Sequence, residues 1–195
     1  IQGARNIALA ALDALIHTAK KSGFDKEFFS AADALQNSRK TAVPLYNVIE
    51  AAKKEKNIKA MFEMKRFFEI AMMHTAQNGA NLIKNNMTII THCHSSEAIL
   101  AMKLAKRQGK KFKVIVTETR PKMQGIKTAQ ELRAAKIPVD YIIDSAAGFY
   151  MASVNIFIVG CDSIRPEGIY NKIGTYLMSI CAQKHNVPVY FIGDS

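Results

Sequence analysis

The chain has 195 residues, 49% of them hydrophobic, and a formal net charge of +11 at pH 7. This length suits one large domain or two small ones, with a core that buries well over half of the surface of the unfolded chain. No apolar run approaches the roughly 20 residues that a membrane-spanning helix needs, so insertion into a membrane is not expected.

The first part of the chain carries only helical periodicity, and we predict an all-helical N-terminal domain over residues 1–84. Apolar residues recur at helical spacing in four segments, at about 8–16, 28–35, 42–52 and 58–83. Asp25 stands after a break at Gly23 and is ready to cap the second of these helices.

From Met87 onward the pattern changes to short strands that alternate with helices. Runs rich in Ile and Val predict strands at 88–91, 112–117, 139–143, 155–159 and 187–192. Helical patterns between them predict helices at 96–107, 128–135, 146–151 and 173–184. Continuously apolar strands with helices between them indicate a parallel sheet that is covered on both faces. Residues 85–195 are therefore predicted to form a Rossmann-like, doubly wound α/β domain.

Ligands of such a sheet bind outside the carboxyl ends of the strands, near the point where the strand order reverses. The segments that follow the predicted strands are 93–96, 118–125, 144–148 and 160–174. None of them carries the glycine pattern of a dinucleotide-binding turn or of a P-loop. A dinucleotide enzyme and a P-loop nucleotide hydrolase are therefore disfavoured.

Cys93 lies at the end of the first predicted strand and precedes a helix that begins near Ser96. The free N–H groups and the positive dipole end of that helix favour a thiolate, which can act as a base. A free cysteine in an apolar segment is more often a small buried hydrophobic residue, and the residue alone leaves this alternative open. His92 and His94 flank Cys93, but neighbouring side chains of an extended segment point to opposite sides. Because zinc needs about four convergent ligands, no metal site is predicted.

Asp162 follows the end of another apolar strand, where a carboxylate is costly unless it is paired or used. Its alternative role is to cap the turn that follows. Asn171 and Lys172 precede the next predicted helix, whose free N–H groups suit a phosphate group. Gln124 occupies a similar turn between a strand and a helix.

The positive charge favours anionic partners such as phosphorylated metabolites, nucleotides, RNA or an acidic protein. Its densest stretches, 53–56 and 103–113, lie on or just after predicted helices, where solvated lysines are common. No aromatic residues interleave these lysines as a platform for stacking bases, so no direct nucleic-acid partner is predicted. Three widely spaced cysteines do not indicate a disulfide framework, and a reducing cytoplasm is the expected location.

Taken together, the motifs at the strand ends resemble one superfamily. It holds ribose-1,5-bisphosphate isomerases, methylthioribose-1-phosphate isomerases and the alpha, beta and delta subunits of translation initiation factor 2B. The motifs are Thr91-His92-Cys93-x-Ser95, Glu118-Thr119-Arg120-Pro121-x-x-Gln124-Gly125, Asp144-Ser145-Ala146-Ala147, Gly160-x-Asp162 and Asn171-Lys172-Ile173-Gly174-Thr175. Two N-terminal segments, 1–5 and 38–43, extend the resemblance to nearly the whole chain.

The resemblance to the isomerases implies that Cys93 and Asp162 form a catalytic pair. The implied reaction is an aldose–ketose isomerisation of ribose 1,5-bisphosphate to ribulose 1,5-bisphosphate, in archaeal nucleotide salvage. A protonated Asp162 would donate to the ring oxygen and the Cys93 thiolate would remove the proton from carbon 2. These roles need a carboxyl that burial keeps protonated and a thiol whose pKa is lowered by the helix end. The residues that the resemblance assigns to substrate and phosphate binding are Gly3, Ala4, Arg39, Ser95, Gln124, Asn171 and Lys172.

The same resemblance implies no metal or redox cofactor. It makes AMP a candidate effector and at least a homodimer the expected assembly. Two alternatives stay open. One is a non-catalytic regulatory subunit similar to those of translation initiation factor 2B, with initiation factor 2 as its partner, and the other is a methylthioribose-1-phosphate isomerase.

The chain departs from the isomerase pattern at several positions. Gln2 stands where Arg is expected, Lys40 where Pro is usual, His94 where Asn is usual and Cys161 where Ala is common. The segment 162–171 is one residue shorter than the pattern. The chain begins without Met and stops at Ser195, before the C-terminal strands and helix of a full-length member, so we expect a trimmed chain.

Overall fold

Four helices lie between residues 4 and 82 in a computed structural model, which describes residues 4–39 and 43–193. They are α1 (Ala4–Ser22), α2 (Lys26–Ser38), α3 (Val43–Glu55) and α4 (Ile58–Leu82). Asp25 caps α2 as predicted, because its carboxylate accepts hydrogen bonds from the backbone N–H groups of Glu27, at 2.9 Å, and Phe28, at 3.2 Å. These helices bury one apolar cluster whose fully enclosed members include Leu12, Leu15, Phe28, Ile49 and Met61.

The rest of the chain alternates between strands and helices. Its elements are β1 (Met87–Thr91), α5 (Ser96–Arg107), β2 (Phe112–Thr117), α6 (Gly125–Ala134), β3 (Val139–Ile142), α7 (Ala147–Met151), β4 (Ile156–Gly160), β5 (Ser163–Arg165), β6 (Gly168–Tyr170), α8 (Thr175–Lys184) and β7 (Val189–Ile192). A 3-10 turn, Asp144–Ala146, leads into α7. None of the helices in the described ranges is both long and apolar enough to span a membrane.

Five strands form one parallel sheet in the order β3-β2-β1-β4-β7. The predicted Rossmann-like, doubly wound sheet is thereby confirmed. The chain moves outward from β1 through β2 to β3 on one side, and from β4 to β7 on the other. The strand order therefore reverses between β1 and β4, and the ligand crevice of this fold lies outside their carboxyl ends.

Apolar clusters cover both faces of the sheet, as the continuous Ile and Val runs predict. On one face, Ile89, Val114 and Ile158 pack with buried residues of α5 and α6. On the other, Ile90 and Phe157 pack with buried residues of α7 and α8. Alternate residues of each strand thus face opposite layers, which fixes the register of the strand ends that carry the polar motifs.

Two compact units divide the chain, Ile1–Ala71 and Met72–Ser195. The division falls inside α4, whose Met61 belongs to the helical core and whose Ala80 belongs to a core of the sheet. The predicted domain boundary after residue 84 stays a prediction.

The hairpin of β5 and β6 was not predicted from the sequence. The two strands pair antiparallel, with Ser163 opposite Tyr170 and Arg165 opposite Gly168. Each strand has only three residues and most of them are exposed, so no alternation of apolar and polar residues marks them. The helix predicted from residue 173 begins at Thr175 instead, because Gly174 has a left-handed φ of +101°.

Candidate active site

Cys93 holds an unusual backbone conformation at the end of β1. Its φ is +71°, a region that residues other than glycine rarely occupy. Two threonines hold it there: the Cys93 N–H donates to Thr119 Oγ1 at 2.8 Å, and Thr128 Oγ1 donates to the Cys93 carbonyl at 2.8 Å. Backbone conformations of this kind persist only where the surroundings enforce them, and they concentrate at functional sites.

The Cys93 thiol is half-buried, and this burial raises its pKa. The backbone N–H of His94 and the charge of Lys172 act in the opposite direction, while the charge of Asp162 adds to the increase. The predicted lowering of the pKa by the helix end is therefore wrong. The Ser95 hydroxyl caps α5 by accepting the N–H of Ala98 at 3.2 Å.

Asp162 follows β4, at the base of the hairpin. Its N–H donates to the Tyr170 carbonyl at 2.9 Å, so the hairpin returns the chain to Asn171 beside it. Asp162 is exposed, which corrects the expectation that burial keeps its carboxyl protonated. Because both Asp162 and Lys172 act on the pKa of the Cys93 thiol, these three side chains share one electrostatic environment at the point where the strand order reverses.

The start of α8 supplies the polar groups predicted for phosphate binding. Asn171 and Lys172 are both half-buried, and Asn171 Nδ2 donates to Thr175 Oγ1 at 3.1 Å. The Lys172 carbonyl accepts the N–H of Thr175 at 3.1 Å. These bonds set the turn from which the Lys172 ammonium extends.

Gln124 has an acceptor that its protein neighbours do not use. Its Oε1 is buried, and among the described residues it has no hydrogen-bond partner. A buried acceptor left unpaired costs about 1–3 kcal/mol, so a ligand that donates a hydrogen bond here would recover that energy. Gln124 lies directly before α6, the helix that also carries Thr128.

Three more of the predicted contacts lie among the described residues. Ser95 lies against β4, where a Cβ on Gly160 would stand 2.6 Å from the Ser95 Cβ. Ala4 begins α1, and the exposed Arg39 follows α2, in the helical unit. Gly3, Gln2 and Lys40 lie outside the described residues. The assignment of Gly3, Ala4 and Arg39 to substrate binding stays a prediction.

A cavity of about 680 Å³ opens beside α8. Asn171, Lys172 and Thr175 form part of its wall, and Leu177 and Phe191 belong to the apolar remainder. Cys93 and Asp162 do not line it, so the cavity adjoins the residues predicted to bind phosphate and not the pair predicted to transfer protons.

The polar residues under the cysteine were missed as functional groups. His92 is fully buried, with Nδ1 2.6 Å from Thr117 Oγ1 and Nε2 2.7 Å from the Ile173 carbonyl. Asp144 accepts the N–H groups of Thr119, at 2.8 Å, and Arg120, at 2.7 Å. The sequence could have indicated this polar group, because His92, Thr117 and Asp144 all stand at the carboxyl ends of neighbouring strands.

His94 forms a second polar group beside Cys93. Its Nδ1 lies 3.1 Å from Thr128 Oγ1, and its Nε2 lies 3.6 Å from Glu131 Oε1. The Glu131 carboxylate also forms an ion pair with Lys103, at 2.7 Å. Burial lowers the pKa of His94, and the nearby charge of Lys127 adds to this. Among the residues described, no three His, Cys, Asp or Glu side chains are grouped so that they could hold a metal ion.

Known proteins resemble the chain over its whole length. The profile of the "Initiation factor 2 subunit family" matches residues 1–195. The ribose 1,5-bisphosphate isomerase of Thermococcus kodakarensis is 42% identical over 210 residues, covering 96% of this chain and 65% of the relative. That of Archaeoglobus fulgidus is 37% identical over 202 residues, covering 96% and 64%.

A solved structure carries the same fold. The translation initiation factor eIF-2B of Pyrococcus horikoshii OT3 superposes with a TM-score of 0.87 at 28% identity, covering 98% of this chain and 72% of that one. The chain spans slightly less than two thirds of the length of the two isomerases above. Both the family profile and these identities lead to the same conclusion: the chain belongs to the initiation factor 2 subunit family.

Proposed function

We propose that the chain is the catalytic part of an aldose–ketose isomerase that converts ribose 1,5-bisphosphate to ribulose 1,5-bisphosphate, in cytoplasmic nucleotide salvage. One observation carries the proposal. Cys93 and Asp162 follow the two strands between which the strand order reverses, and both act with Lys172 in one electrostatic environment. The relatives named ribose 1,5-bisphosphate isomerase support the same reaction class.

The chemistry needs one proton donor and one base. A phosphate on carbon 1 prevents simple opening of the sugar ring, so the ring oxygen must be protonated while a proton leaves carbon 2. The bond between carbon 1 and the ring oxygen then breaks and an enol forms between carbons 1 and 2. Return of a proton from the Cys93 thiol to carbon 1, with loss of the carbon 2 hydroxyl proton to the Asp162 carboxylate, gives the ketose and restores both groups. Asp162 in its protonated form is the proposed donor, since its exposed carboxyl follows β4 at the crevice where the strand order reverses. Cys93 is the proposed base. Each such transfer typically accelerates a reaction by about 10² to 10⁴-fold.

The state of the thiol sets an expected pH dependence. Because burial raises the pKa of Cys93, the thiolate is scarce at neutral pH and increases as the pH rises. The charge of Lys172 and the His94 N–H favour the thiolate and limit this scarcity. The rate of alkylation of Cys93, which depends on the thiolate alone, should therefore increase with pH into the alkaline range, as measured between pH 6 and pH 10 in the Cys161→Ser, Cys181→Ser background.

Binding of the phosphorylated sugar is proposed to use the start of α8. The Lys172 ammonium, the Asn171 amide and the free N–H groups of the helix suit a phosphate dianion. The unused acceptor of Gln124 suits a sugar hydroxyl. No group in this scheme requires a metal or a redox cofactor.

The proposal is tested by substrate conversion. Purified protein is incubated with ribose 1,5-bisphosphate, and product is followed by NMR, with methylthioribose 1-phosphate as the competing substrate. We expect a ketose from the bisphosphate at the higher kcat/KM. Higher kcat/KM with methylthioribose 1-phosphate would move the assignment to the other isomerase, and no product from either would refute an isomerase. The same assay with added AMP tests the predicted effector.

A non-catalytic subunit is the second candidate. The observation that favours it is the TM-score of 0.87 with the translation initiation factor eIF-2B of Pyrococcus horikoshii OT3. Its test is a pull-down with purified initiation factor 2 as bait. Stoichiometric binding together with no conversion of either phosphosugar would favour this candidate over the isomerase.

Self-association is proposed through an apolar stripe formed by Ile173, Tyr176, Leu177 and Ile180. The spacing of Tyr176, Leu177 and Ile180 puts them on one side of α8, and Ile173 stands two residues before that helix. All four side chains are between 45% and 77% exposed. Soluble monomers rarely leave a continuous apolar patch of this kind uncovered. Light scattering coupled to gel filtration should give a dimer or a larger homo-oligomer for the protein and a smaller species for Leu177→Glu. The exposed Lys184→Glu at the end of α8 serves as the charge-change control.

A further inference from the structure

The geometry points to His92 as a positioning residue that holds the backbone carrying Lys172 in register with the strand end carrying Cys93. This inference rests on the proposed isomerase function for its kinetic consequence, although the contacts themselves do not depend on it. His92 would touch no substrate and would act through the two residues that do.

The hydrogen-bond partners define the tautomer of the His92 ring. The Ile173 carbonyl, 2.7 Å from Nε2, can only accept, so Nε2 carries the proton. Nδ1 of the neutral ring is then an acceptor, and the Thr117 hydroxyl at 2.6 Å donates to it. Burial lowers the pKa of His92 and the charge of Lys172 adds to this, while the Ile173 carbonyl and the charge of Asp144 oppose it. Both nitrogens of a neutral, enclosed ring are thus occupied by protein groups.

The ring supports the loop through its backbone. The Ile173 side chain is 76% exposed and points away, so the contact with His92 is made by the carbonyl alone. Gly174 follows with φ +101°, and a Cβ at that position would stand 2.9 Å from His92 Nε2. The loop therefore lies directly on the imidazole, and Lys172 is the residue immediately before this contact.

The opposite side of the ring connects to Cys93. Thr119 Oγ1 lies 3.5 Å from Nδ1 and accepts the N–H of Cys93 at 2.8 Å. Asp144 holds Thr119 through its N–H, and its Oδ1 is 3.8 Å from Nδ1. The ends of β1, β2 and β3 and the start of α8 are thereby joined in one network around the buried His92 ring, and a satisfied network of this kind makes a site rigid.

The consequence for catalysis follows from the charge of Lys172, which favours the Cys93 thiolate. If His92 no longer holds the Ile173 carbonyl, Lys172 is free to move and its effect on the thiol weakens. Misplacement of a catalytic group by about 1 Å can cost about 100-fold in rate. Loss of this one hydrogen bond should therefore reduce kcat, raise KM for the phosphorylated substrate, and shift the thiol titration to higher pH.

Two substitutions of His92 separate its two hydrogen bonds. The amide nitrogen of His92→Gln can occupy the place of Nε2 and donate to the Ile173 carbonyl. His92→Asn keeps a polar group near Nδ1 but is too short to reach that carbonyl. We expect His92→Gln to retain kcat/KM within about 10-fold and His92→Asn to lose about 100-fold. Urea unfolding of both proteins identifies any general loss of structure.

A second measurement does not require the enzyme to be an isomerase. The rate of alkylation of Cys93 is measured against pH in the Cys161→Ser, Cys181→Ser background. The midpoint should move to higher pH in His92→Asn and stay near the starting value in His92→Gln. Equal midpoints in both variants and in the parent would overturn the positioning role, whether or not the protein converts ribose 1,5-bisphosphate. A shifted midpoint in a protein without isomerase activity would uphold the role and refute only the proposed function.

If His92→Asn does not fold, Thr117 provides the same comparison from the other side of the ring. Thr117→Val removes the donor to Nδ1 at nearly constant volume, and Thr117→Ser retains it. A midpoint that moves upward in Thr117→Val but not in Thr117→Ser supports the inference. Identical midpoints in the two variants contradict it.

Discussion

Replacing Gly160 by alanine should separate the two strand ends that carry Cys93 and Asp162. Gly160 is the last residue of β4, and its added Cβ would stand 2.6 Å from Ser95 Cβ and 2.9 Å from Ser95 Oγ. Ordinary contact begins at 3.4 Å, so one of the strand ends must move by about 0.8 Å, the difference between 3.4 and 2.6 Å. Rotation of the Ser95 side chain cannot relieve this contact, because it leaves Cβ in place and would break the cap that the hydroxyl forms on α5.

Two effects follow from this displacement. Overpacking of a buried site costs about 1–3 kcal/mol in the free energy of unfolding. A movement approaching 1 Å between catalytic groups can lower kcat/KM by about 100-fold. We therefore expect Gly160→Ala to lose both stability and activity, as measured by urea unfolding and by NMR of the ketose product.

Gly148→Ala is the matched control. A Cβ on Gly148, within α7, would meet only Cys181 Sγ at 3.5 Å, which is an ordinary contact. Alanine is favoured over glycine inside a helix by about 1 kcal/mol, so this variant should be at least as stable as the parent and equally active. Wild-type activity in Gly160→Ala would refute the idea that the close approach of Ser95 and β4 sets the active geometry.

Three further predictions concern stability and binding. His92 and His94 both have a lowered pKa in the folded protein, so below about pH 6.5 the unfolded chain binds more protons than the folded one. The free energy of unfolding should therefore be highest above about pH 6.5 and should fall as the pH is lowered. Urea unfolding should show a lower free energy of unfolding at pH 5 than at pH 7, and His94→Asn should reduce the difference between the two. If the difference stays the same in His94→Asn, it does not come from protonation of His94. Gln124→Met removes a buried, unpaired acceptor, so the free energy of unfolding should stay equal or increase. The KM for ribose 1,5-bisphosphate should rise in steady-state kinetics, and an unchanged KM would exclude a contact between Gln124 and the substrate. Phe157→Ala, at a fully buried position of the sheet, should cost about 3–5 kcal/mol in urea unfolding, and a cost below 1 kcal/mol would contradict the described core.

The fold was predictable because its signals are local and repeated. The helix at 96–107 and the strand at 112–117 were placed with the bounds that the structure has, since a helical pattern marks the first and an apolar run marks the second. The hairpin at 163–170 was not, because three-residue exposed strands carry no hydrophobic period.

The electrostatics of the site were less predictable than its position. That Cys93 and Asp162 stand at strand ends is visible in the sequence, since apolar runs end there. The sequence does not reveal that Cys93 is the half-buried member of the pair and Asp162 the exposed one. The pKa of a thiol depends on burial by distant segments, and this outweighs the nearby helix end on which the prediction relied.

The contacts of His92 show the same limit. The sequence places two histidines beside the cysteine and suggests at most that they point to opposite sides. The contact between His92 Nε2 and the Ile173 carbonyl joins residues that are 81 positions apart in the chain. It depends on how α8 packs against β1. Only the left-handed Gly174 gives a hint, because a glycine is required where backbone approaches a ring this closely.

The central claim is that Cys93 removes a proton from a bound sugar phosphate, and one comparison of matched thiols tests it most directly. Cys93→Ser and Cys181→Ser each remove one half-buried thiol, and only the first lies at the point where the strand order reverses. With ribose 1,5-bisphosphate as substrate and NMR as the readout, Cys93→Ser should lose at least about 100-fold in kcat while Cys181→Ser keeps the parent rate. Equal rates for the two variants would contradict the claim.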